Sequence, residues 1–561
     1  MNIARALHWR LRDSESNWRS ADYATPDGSS GARAAEQPGD GYTAALRMTV
    51  LLFIALATVA IAAIYFVFLN PVIDYRVDQT GDAIAYLFLT RSLAETATYP
   101  SVHWSPGLPM LFAPLVRLAG EDMTLIKLGM VALALGTAGA VFAWATPIVG
   151  RFAAALVALS VASSPVFFDY SHRFLSEIPF TLFVVLFFVF LQRSSFVRGR
   201  AGILEYAVLA AVAAMVQLTR GNGIVLVPAL LMTAATSRGP LRDGNTRARV
   251  WIAFLIVSLA IPAVAWNIRN AQRSFPGIHG STYLDELKAR RPMELWSRGS
   301  GPGTDQIETV SFRDFWVRLY RNIAWGQIFN YPRAAANPID LVVRSTSSTP
   351  VALLVVLPVW GILLTGVGLL YRKCPFAVWF LGFTTIVLVV WPWPWGASIR
   401  FITPVIPVLA LAFYLGLNRL IGPRWTAVLT MFIVAVNLWQ SVHLGIDQRR
   451  APYASAEFAN VLALVEAARG ELRPNEALVI DPSIAGLGLV KAGRPAIDVN
   501  QAIADMREGK SASSLAVVST LTPEVGLRID RWAREQPGTV VQSVRRVGAS
   551  QLIRVEGRRG S

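Results

Sequence analysis

Residues 48–69 read MTVLLFIALATVAIAAIYFVFL, a run of 22 positions without one charged side chain. An α-helix rises about 1.5 Å per residue, so this run reaches about 33 Å, enough to cross a hydrocarbon core of roughly 30 Å. The stretch therefore predicts a membrane-spanning helix, and it decides the class of fold for the chain around it.

Apolar runs of similar length recur along the rest of the chain. They lie at 124–145, 151–168, 178–193, 203–218, 221–236, 250–268, 351–371, 375–393, 401–418 and 424–444. Charged residues make up only 16% of the chain, whereas soluble proteins typically carry about 25%. We predict an α-helical polytopic membrane protein with about eleven transmembrane helices.

Three regions follow from this pattern. Residues 1–47 are polar and rich in Ser, Gly, Ala and Arg, which predicts a disordered cytoplasmic tail. Residues 48–444 form the predicted transmembrane domain, in which 70–123 and 269–350 are long outer loops. Residues 445–561 alternate one helical pattern, 454–468, with short β-rich runs, which predicts a small extracytoplasmic α/β domain. Those β-rich runs lie at 477–480, 496–499, 515–518, 540–544 and 552–555.

The strongly basic balance, with a formal net charge of +16, has a topological explanation. Arginine and lysine concentrate in short loops that would all lie on one side of the membrane, at 194–201, 237–249, 372–374 and 419–424. By the positive-inside rule that side is the cytoplasm. An odd number of spans then leaves the C-terminus outside a cytoplasmic (inner or plasma) membrane. We therefore expect membrane lipids rather than nucleic acid as partners.

Acidic residues gather in the first outer loop, where DYRVDQTGDAIAY covers residues 74–86. Asp82 precedes a helical pattern, so it could act as an N-cap, and that role does not exclude a chemical one. His103 follows in the segment HWSPGLP, whose Pro and Gly residues indicate a fixed turn. This histidine could be a hydrogen-bonding turn residue or a contact to substrate.

Ionisable residues also gather at the heads of later spans. The segment DYSHRFLSE at 169–177 ends on Glu177, where an apolar run begins, and a charge at membrane depth indicates function by default. The alternative is a simple ion pair between Glu177 and Arg173 at i,i+4 spacing. Arg400 heads a late span with no acidic neighbour in sequence, and its guanidinium suits a phosphate.

Five segments, in this order, resemble the multi-pass glycosyltransferases of the C superfamily (GT-C), which include protein O-mannosyltransferases and aminoarabinose transferases that modify lipid A. They are GDAIAYLFLTRSLAE (81–95), HWSPGLPMLFAPL (103–115), HRFLSEIPFTLFVVLFF (172–188), LTRGNGIVLVPALL (218–231) and RFITPVIPVLAL (400–411). The fourth departs from the family pattern, because Gly221 and Asn222 replace the usual Pro and Glu or Asn. Together the segments cover most of residues 70–415.

The resemblance implies a polyprenyl-phosphate-sugar donor and an outward-facing site. It assigns the first-loop catalytic acid to Asp82, with Asp78 as the fallback, and the second-loop acid to Glu177. Arg400 matches the arginine that precedes the late span. On this basis we expect Asp82 to be the general base and Glu177 to position the acceptor or a metal.

The remaining assignments are physical expectations. A phosphate leaving group needs charge stabilisation, which Arg400 together with Arg173 or His172, or a bound divalent cation, could supply. Tyr86, His103 and Arg220 are expected to position the substrates. No cofactor is required by the sequence, and metal dependence stays open.

The acceptor and the function class also leave alternatives. The acceptor could be a glycan, a lipid or a protein. A transporter or flippase of a lipid-linked saccharide would also need many spans and phosphate-binding arginines, but it should carry ionisable residues in mid-span. A membrane scaffold acting through residues 445–561 is the third class.

Overall fold

The computed structural model describes residues 44–556 of the chain, with several gaps. The gaps are 70–81, 100–103, 121, 194–201, 237–245, 272–309, 346–348, 392–399, 451–455, 474–475, 481–495, 498–501, 504, 507–512, 519–522 and 537–538. Nearly all of the predicted cytoplasmic tail therefore lies outside the described residues.

Helices dominate the described residues up to position 450. In chain order they are α1 (Ala44–Val67), α2 (Asp82–Thr96), α3 (Gly107–Ala119), α4 (Met123–Val149), α5 (Arg151–Ser163), α6 (Pro165–Ser171), α7 (Glu177–Arg193), α8 (Ile203–Thr219), α9 (Leu226–Thr236), α10 (Thr246–Ala271), α11 (Phe312–Arg321), α12 (Ile328–Ala335), α13 (Pro338–Ser345), α14 (Thr349–Lys373), α15 (Pro375–Val390) and α16 (Ile406–Arg450). Two short 3-10 turns, Gly221–Val225 and Thr403–Val405, lead into α9 and α16.

Among the described residues, four helical stretches are long and apolar enough to cross a membrane. They are Leu46–Val67, Met123–Val149, Thr349–Lys373 and Arg400–Arg449. Shorter apolar helices accompany them, at Gly107–Ala119, Ile203–Thr219, Gly221–Thr236, Ala253–Trp266 and Pro375–Val390. The apolar helices therefore form a multi-helix bundle, while the number of eleven spans stays a prediction.

The predicted span 151–168 is not one straight helix. The axes of α5 and α6 differ by 60° across Ser164. Pro165 explains the break, because the residue before a proline avoids the helical conformation, and Ser164 has the extended ψ of 126°. The predicted span 424–444 lies within α16, and the predicted span 401–418 runs through the 3-10 turn Thr403–Val405 into the same helix. The helix α16 breaks at Gly422, where φ is 79°.

The helices α14 and α16 approach each other very closely. A Cβ placed on Gly366 would overlap the carbonyl of Ala412, and one placed on Gly416 would overlap the carbonyl of Ile362. Small residues at such crossings allow backbone-to-backbone packing, which is the usual way that helices associate within lipid. The contact supports the membrane placement of this pair.

The helix α11 exposes apolar side chains and buries charged ones, which is the reverse of a surface helix in a soluble protein. Its aromatic side chains Phe312, Trp316 and Tyr320 are exposed, while Asp314 and Arg318 are buried. Exposed apolar faces of this size mark contact with another apolar phase, and Trp and Tyr favour the membrane–water interface. This surface fits a helix that lies at the membrane boundary.

Beyond α16 the chain forms a five-stranded sheet with helices on both faces. Its elements are α17 (Ala456–Glu471), β1 (Ala477–Val479), β2 (Ala496–Ile497), β3 (Ser513–Val518), α18 (Pro523–Glu535), β4 (Val540–Val547) and β5 (Ser550–Glu556), with the strand order β2-β1-β3-β5-β4. The strands β2, β1 and β3 are parallel, whereas β5 is antiparallel to both β3 and β4. Each strand lies on one of the predicted β-rich runs.

The two faces of this sheet are covered by different helices. Leu478 and Leu515 share a hydrophobic cluster with Leu464 of α17, and the adjacent Val479 and Ala516 share another with residues of α18. This alternation is the period of two expected of a strand buried on both faces. A buried ion pair between Arg554 Nε and Glu476 Oε1, 2.8 Å apart, lies at the edge of the α17 layer.

Candidate active site

Glu177 is the first residue of α7, and its side chain is completely buried. Its Oε1 accepts hydrogen bonds from Nη1 of Arg220 and from Nε of Arg400. Its Oε2 is buried too and accepts no hydrogen bond from the described residues. Because a buried carboxylate is costly without opposite charge, the two guanidiniums are what allows Glu177 to stay at this position as an anion.

Arg400 connects this carboxylate to a second one. Its Nη2 lies 2.7 Å from Oδ2 of Asp82, the first residue of α2. The other oxygen of Asp82, Oδ1, accepts a hydrogen bond of 2.9 Å from the indole Nε1 of Trp104. The side chains of Arg400 and Asp82 are 15% and 16% exposed, so this end of the arrangement is accessible whereas Glu177 is not.

The two guanidiniums also share an aromatic platform. The guanidinium carbon of Arg220 lies 5.0 Å from the centroid of the Phe401 ring, and that of Arg400 lies 5.9 Å from it. A cation over an aromatic face is stabilised by about 0.5–2 kcal/mol. Phe401 therefore helps to hold both arginines beside Glu177.

A hydroxyl pair extends the hydrogen bonding on the side of Arg220. The Tyr86 hydroxyl donates to Oγ of Ser176 at 3.2 Å, and Nη1 of Arg220 donates to the same oxygen at 3.4 Å. Tyr86 lies one helical turn after Asp82 on α2, and Ser176 directly precedes Glu177. With the hydrogen bond from Trp104 to Asp82, the side chains of five sequence segments are thus joined within one network.

The backbone around Trp104 is fixed by a close approach. A Cβ on Gly107 would lie 2.6 Å from the backbone nitrogen of Thr219, so only glycine fits where α3 begins against the end of α8. The Tyr99 hydroxyl donates to the carbonyls of Trp104 and Ser105 at 3.0 and 3.1 Å. This turn sets the position of the Trp104 indole, which donates to Asp82.

We call Asp82, Glu177, Arg220 and Arg400 the charge cluster. Its two carboxylates and two guanidiniums sum to zero formal charge. It combines a buried, fully neutralised anion with a partly exposed carboxylate and guanidinium. Such an arrangement can bind an anionic group at the exposed end and present a carboxylate to a hydroxyl beside it.

Two predicted site residues lie outside this network. Arg173 pairs with Asp169, with Nη2 2.5 Å from Oδ2, and Gln448 donates to the same carboxylate at 2.6 Å. The imidazole nitrogens of His172 lie within hydrogen-bonding distance of the carbonyls of Phe168 and Tyr65, at 2.8 and 3.0 Å. In this geometry His172 and Arg173 stabilise the turn between α6 and α7.

The alternative interpretation of Glu177, a simple ion pair with Arg173, is contradicted, because Glu177 pairs with Arg220 and Arg400 while Arg173 pairs with Asp169. The helix α6 ends at Ser171 and α7 begins at Glu177, so the two residues do not lie on one helix, and the i,i+4 spacing does not bring them together. Arg400 has no acidic neighbour in sequence, but in the structure it pairs with both Asp82 and Glu177. Its partners come from segments that are remote in sequence.

Asp78 and His103 lie outside the described residues. Sequence reasoning missed three contributors, Trp104, Ser176 and Phe401. Each is adjacent to a residue that the sequence did single out, within the same family-like segment, and that adjacency was the available signal. Within the described ranges, no three His, Cys, Asp or Glu side chains come together in a group that could hold a metal ion.

Comparison with known proteins agrees with the sequence segments. The sequence profile of the dolichyl-phosphate-mannose-protein mannosyltransferase family matches residues 103–266. That interval contains Glu177 and Arg220, while Asp82 and Arg400 lie on either side of it. The crystal structure of ArnT from Cupriavidus metallidurans bound to undecaprenyl phosphate superposes with a TM-score of 0.50 at 14% identity, covering 90% of this chain and 98% of that one.

The resemblance to the C-superfamily glycosyltransferases is confirmed. At this identity the structural likeness to ArnT establishes a shared fold, and the chain is a predominantly helical, integral multi-pass membrane protein. The archaeal oligosaccharyltransferase AglB from Archaeoglobus fulgidus, in complex with an inhibitory peptide and a dolichol-phosphate, is also similar, with a TM-score of 0.47 at 13% identity over 90% of this chain and 74% of that one. A search of the curated proteins found no match.

Proposed function

We propose that this chain is a glycosyltransferase that moves a sugar from a polyprenyl-phosphate carrier to an extracytoplasmic acceptor. One observation carries the proposal. Four family-like segments that are far apart in sequence deliver Asp82, Glu177, Arg220 and Arg400 to a single cluster of ion pairs. A fifth, the segment that contains Trp104, donates a hydrogen bond to Asp82 in the same cluster.

The two partly exposed residues of the charge cluster, Asp82 and Arg400, have distinct roles in the reaction. The carboxylate of Asp82 accepts the proton of the acceptor hydroxyl, whose oxygen forms the new bond to the sugar anomeric carbon. The bond between that carbon and the phosphate oxygen breaks, and its electron pair goes to the phosphate. Arg400 binds the phosphate oxygens, where the negative charge grows, with Arg220 beside it.

Glu177 takes a different role from the one predicted. It is fully buried and is held by both arginines, so it does not reach an acceptor. We assign it to positioning: its charge keeps Arg220 and Arg400 side by side against Phe401. The substrate-positioning role expected of Arg220 is kept, since its guanidinium belongs to the same pair. Tyr86 supports this pair through Ser176.

The proposal includes the nature of the donor. A long isoprenoid chain dissolves in the bilayer, and a multi-helix protein with apolar outer surfaces is suited to meet it there. The family profile that matches carries dolichyl-phosphate-mannose in its name, and the ArnT structure holds undecaprenyl phosphate. Both support a lipid-phosphate carrier here, and the acceptor could be a glycan, a lipid or a protein.

The topology is part of the same proposal. We place the N-terminus in the cytoplasm, about eleven helices in the membrane, and the charge cluster and the domain 445–561 outside. A divalent cation does not fit between the carboxylates of Asp82 and Glu177, because the Arg400 guanidinium contacts both of them. No step of the reaction is therefore assigned to a metal.

A transfer assay tests the function. Purified full-length protein in nanodiscs is incubated with a panel of radiolabelled polyprenyl-phosphate sugars and a membrane extract, and labelled products are separated from the donor. We expect one donor to yield a labelled acceptor. Movement of an intact donor across proteoliposomes without any labelled product would favour the transporter or flippase class instead.

A further inference from the structure

Arg400 is shared between two carboxylates whose surroundings differ sharply. Glu177 is completely buried and is contacted by two guanidiniums. Asp82 is 16% exposed, and beside Arg400 it has the Trp104 indole as a donor. One guanidinium therefore links a carboxylate that cannot be hydrated to one that can.

The charge balance of the cluster makes this sharing important. The cluster is neutral, so the phosphate of a lipid-linked sugar brings at least one additional negative charge to a partly buried position. An uncompensated charge in such a place is strongly disfavoured. Arg400 contacts Glu177 through Nε and Asp82 through Nη2, so a phosphate that binds this guanidinium competes with both carboxylates, and one of them gives up its contact.

Burial determines which carboxylate gives way. Without Arg400, Glu177 would be a buried anion with one guanidinium left and no access to water. Without Arg400, Asp82 keeps the hydrogen bond from Trp104 and gains hydration at its exposed side. The exchange at Asp82 is thus the less costly of the two.

We propose that the phosphate of the donor displaces Asp82 from Arg400, and that this displacement frees the Asp82 carboxylate to accept the acceptor proton. The inference rests on the proposed function and adds an order of events to it. A guanidinium contact stabilises the ionised carboxylate and weakens it as a proton acceptor. Asp82 therefore becomes an effective base only after the donor is bound, while Glu177 holds the arginines throughout.

Binding of undecaprenyl phosphate tests the exchange without requiring catalysis. The full-length protein is titrated with this lipid in nanodiscs and the complex is quantified by native mass spectrometry, with undecaprenol as the lipid that lacks phosphate. In Asp82→Asn the phosphate no longer competes with the Asp82 carboxylate for Arg400, so we expect about tenfold tighter binding, which corresponds to about 1.4 kcal/mol. In Glu177→Gln the arginines lose their fixed partner, and we expect weaker binding.

The matched control is Glu95→Gln. Glu95 lies on the same helix as Asp82, about 20 Å further along, and its carboxylate pairs with Arg91 at 2.9 Å. Its removal changes the net charge by the same amount, so it reports any long-range effect of charge alone. We expect binding to stay within about twofold of the wild type.

A second measurement uses the wild-type protein, so it does not depend on how the variants fold. A hydrophobic carbodiimide modifies carboxyl groups that are protonated and free of ion pairs, and the modified residue is located by peptide mass spectrometry. We expect undecaprenyl phosphate to increase modification of Asp82, and undecaprenol to leave it unchanged. Unchanged or reduced modification of Asp82 in the presence of the phosphate would overturn the exchange.

The outcomes separate the two proposals. If the wild type binds undecaprenyl phosphate better than undecaprenol but Asp82→Asn binds it no more tightly, the exchange is wrong and the proposed function survives. If both Asp82→Asn and Glu177→Gln bind more tightly, simple charge removal explains the result and the exchange is again wrong. If the wild type does not distinguish the two lipids, the proposed function fails, and the exchange fails with it.

Discussion

Each end of α2 contains a carboxylate that pairs with an arginine, but the two pairs differ in how deeply they are buried. At its start, Asp82 pairs with Arg400 and, through it, with the buried Glu177. Near its end, Arg91 and Glu95 form a pair in which the side chains are 22% and 57% exposed. This second pair lines an open cleft of about 650 Å³ between α2, α3 and α17.

The difference shows that burial changes how much an ion pair contributes to stability. An exposed ion pair contributes about 0–1 kcal/mol, because water and salt compete with it. Removing one partner of a buried pair costs about 3–5 kcal/mol, because the other charge is left without compensation. Substitutions at the buried pairs should therefore have larger effects than substitutions at the exposed pair.

Glu177→Gln should have the largest effect. The substitution leaves Arg220 and Arg400 next to each other without their shared anion, which we expect to cost about 3–5 kcal/mol of stability. Transfer activity should be lost as well, because neither guanidinium is then held in place. Thermal unfolding of the protein in detergent, together with the transfer assay, measures both. A variant with wild-type stability would mean that Glu177 is not the anchor of the cluster.

Gly107→Ala should follow in size. Its Cβ would lie 2.6 Å from the Thr219 backbone nitrogen, so α3 must shift away from α8, at a cost of about 1–3 kcal/mol. The shift moves the Trp104 indole and should lower transfer severalfold. The control is Gly136→Ala, where an added Cβ would have no neighbour within 4 Å; equal effects of the two substitutions would contradict the packing account.

The buried Glu476–Arg554 pair in the sheet region tests the effect of burial on an ion pair away from the active site. Burial raises the pKa of Glu476, but the hydrogen bond and charge of Arg554, together with hydrogen bonds from the Arg473 backbone and the Ser513 side chain, outweigh it and hold that pKa below the ordinary value of 4.5. A carboxyl whose pKa is lowered by folding stabilises the fold above pH 4.5, and that contribution disappears as the pH falls below it.

Amide hydrogen exchange of the segment Ser550–Glu556, which contains Arg554, measures the effect of this pair. The wild type and Glu476→Gln are compared with each other at the same pH. At pH 7 the variant should exchange faster, and at pH 3.5 the difference should shrink. A difference that persists unchanged at pH 3.5 would show that Glu476 acts through packing rather than through its charge.

The exposed pair should have the smallest effect. Arg91→Ala, Glu95→Gln and the double variant should each change stability by less than about 1 kcal/mol and leave transfer unchanged. A double-mutant cycle on thermal unfolding gives the coupling energy. A coupling of several kcal/mol would remove the distinction between the two ends of α2.

Local patterns in the sequence predicted much of the fold. The apolar run that became α1 and the five β-rich runs each lie where an element formed, because hydrophobic periodicity is a property of neighbouring residues. Pro165 is a sequence signal for the break at Ser164, but the apolar run 151–168 is long enough for one span, and a single span was therefore predicted. The number of spans stays a prediction.

The site was only partly predictable, for a physical reason. Glu177 and Arg400 could be singled out because charges at the head of an apolar run are costly, and Asp82 because it lies in an acidic outer loop that resembles the family's segment. Their partners could not be assigned, because Glu177 had a nearby arginine at i,i+4 and the structure pairs it instead with Arg220 and Arg400. Contacts between remote segments depend on how the helices pack, which a single sequence does not specify.

The central claim is that the charge cluster performs sugar transfer from a lipid phosphate, with Asp82 as the base. The most direct measurement is the initial rate of transfer by purified Asp82→Asn, with Glu95→Gln as the matched removal of a carboxylate from the same helix. We predict that Asp82→Asn lowers the rate by at least about a hundredfold while its thermal unfolding stays close to that of the wild type, and that Glu95→Gln keeps the full rate. Full activity in a folded Asp82→Asn protein would contradict the account.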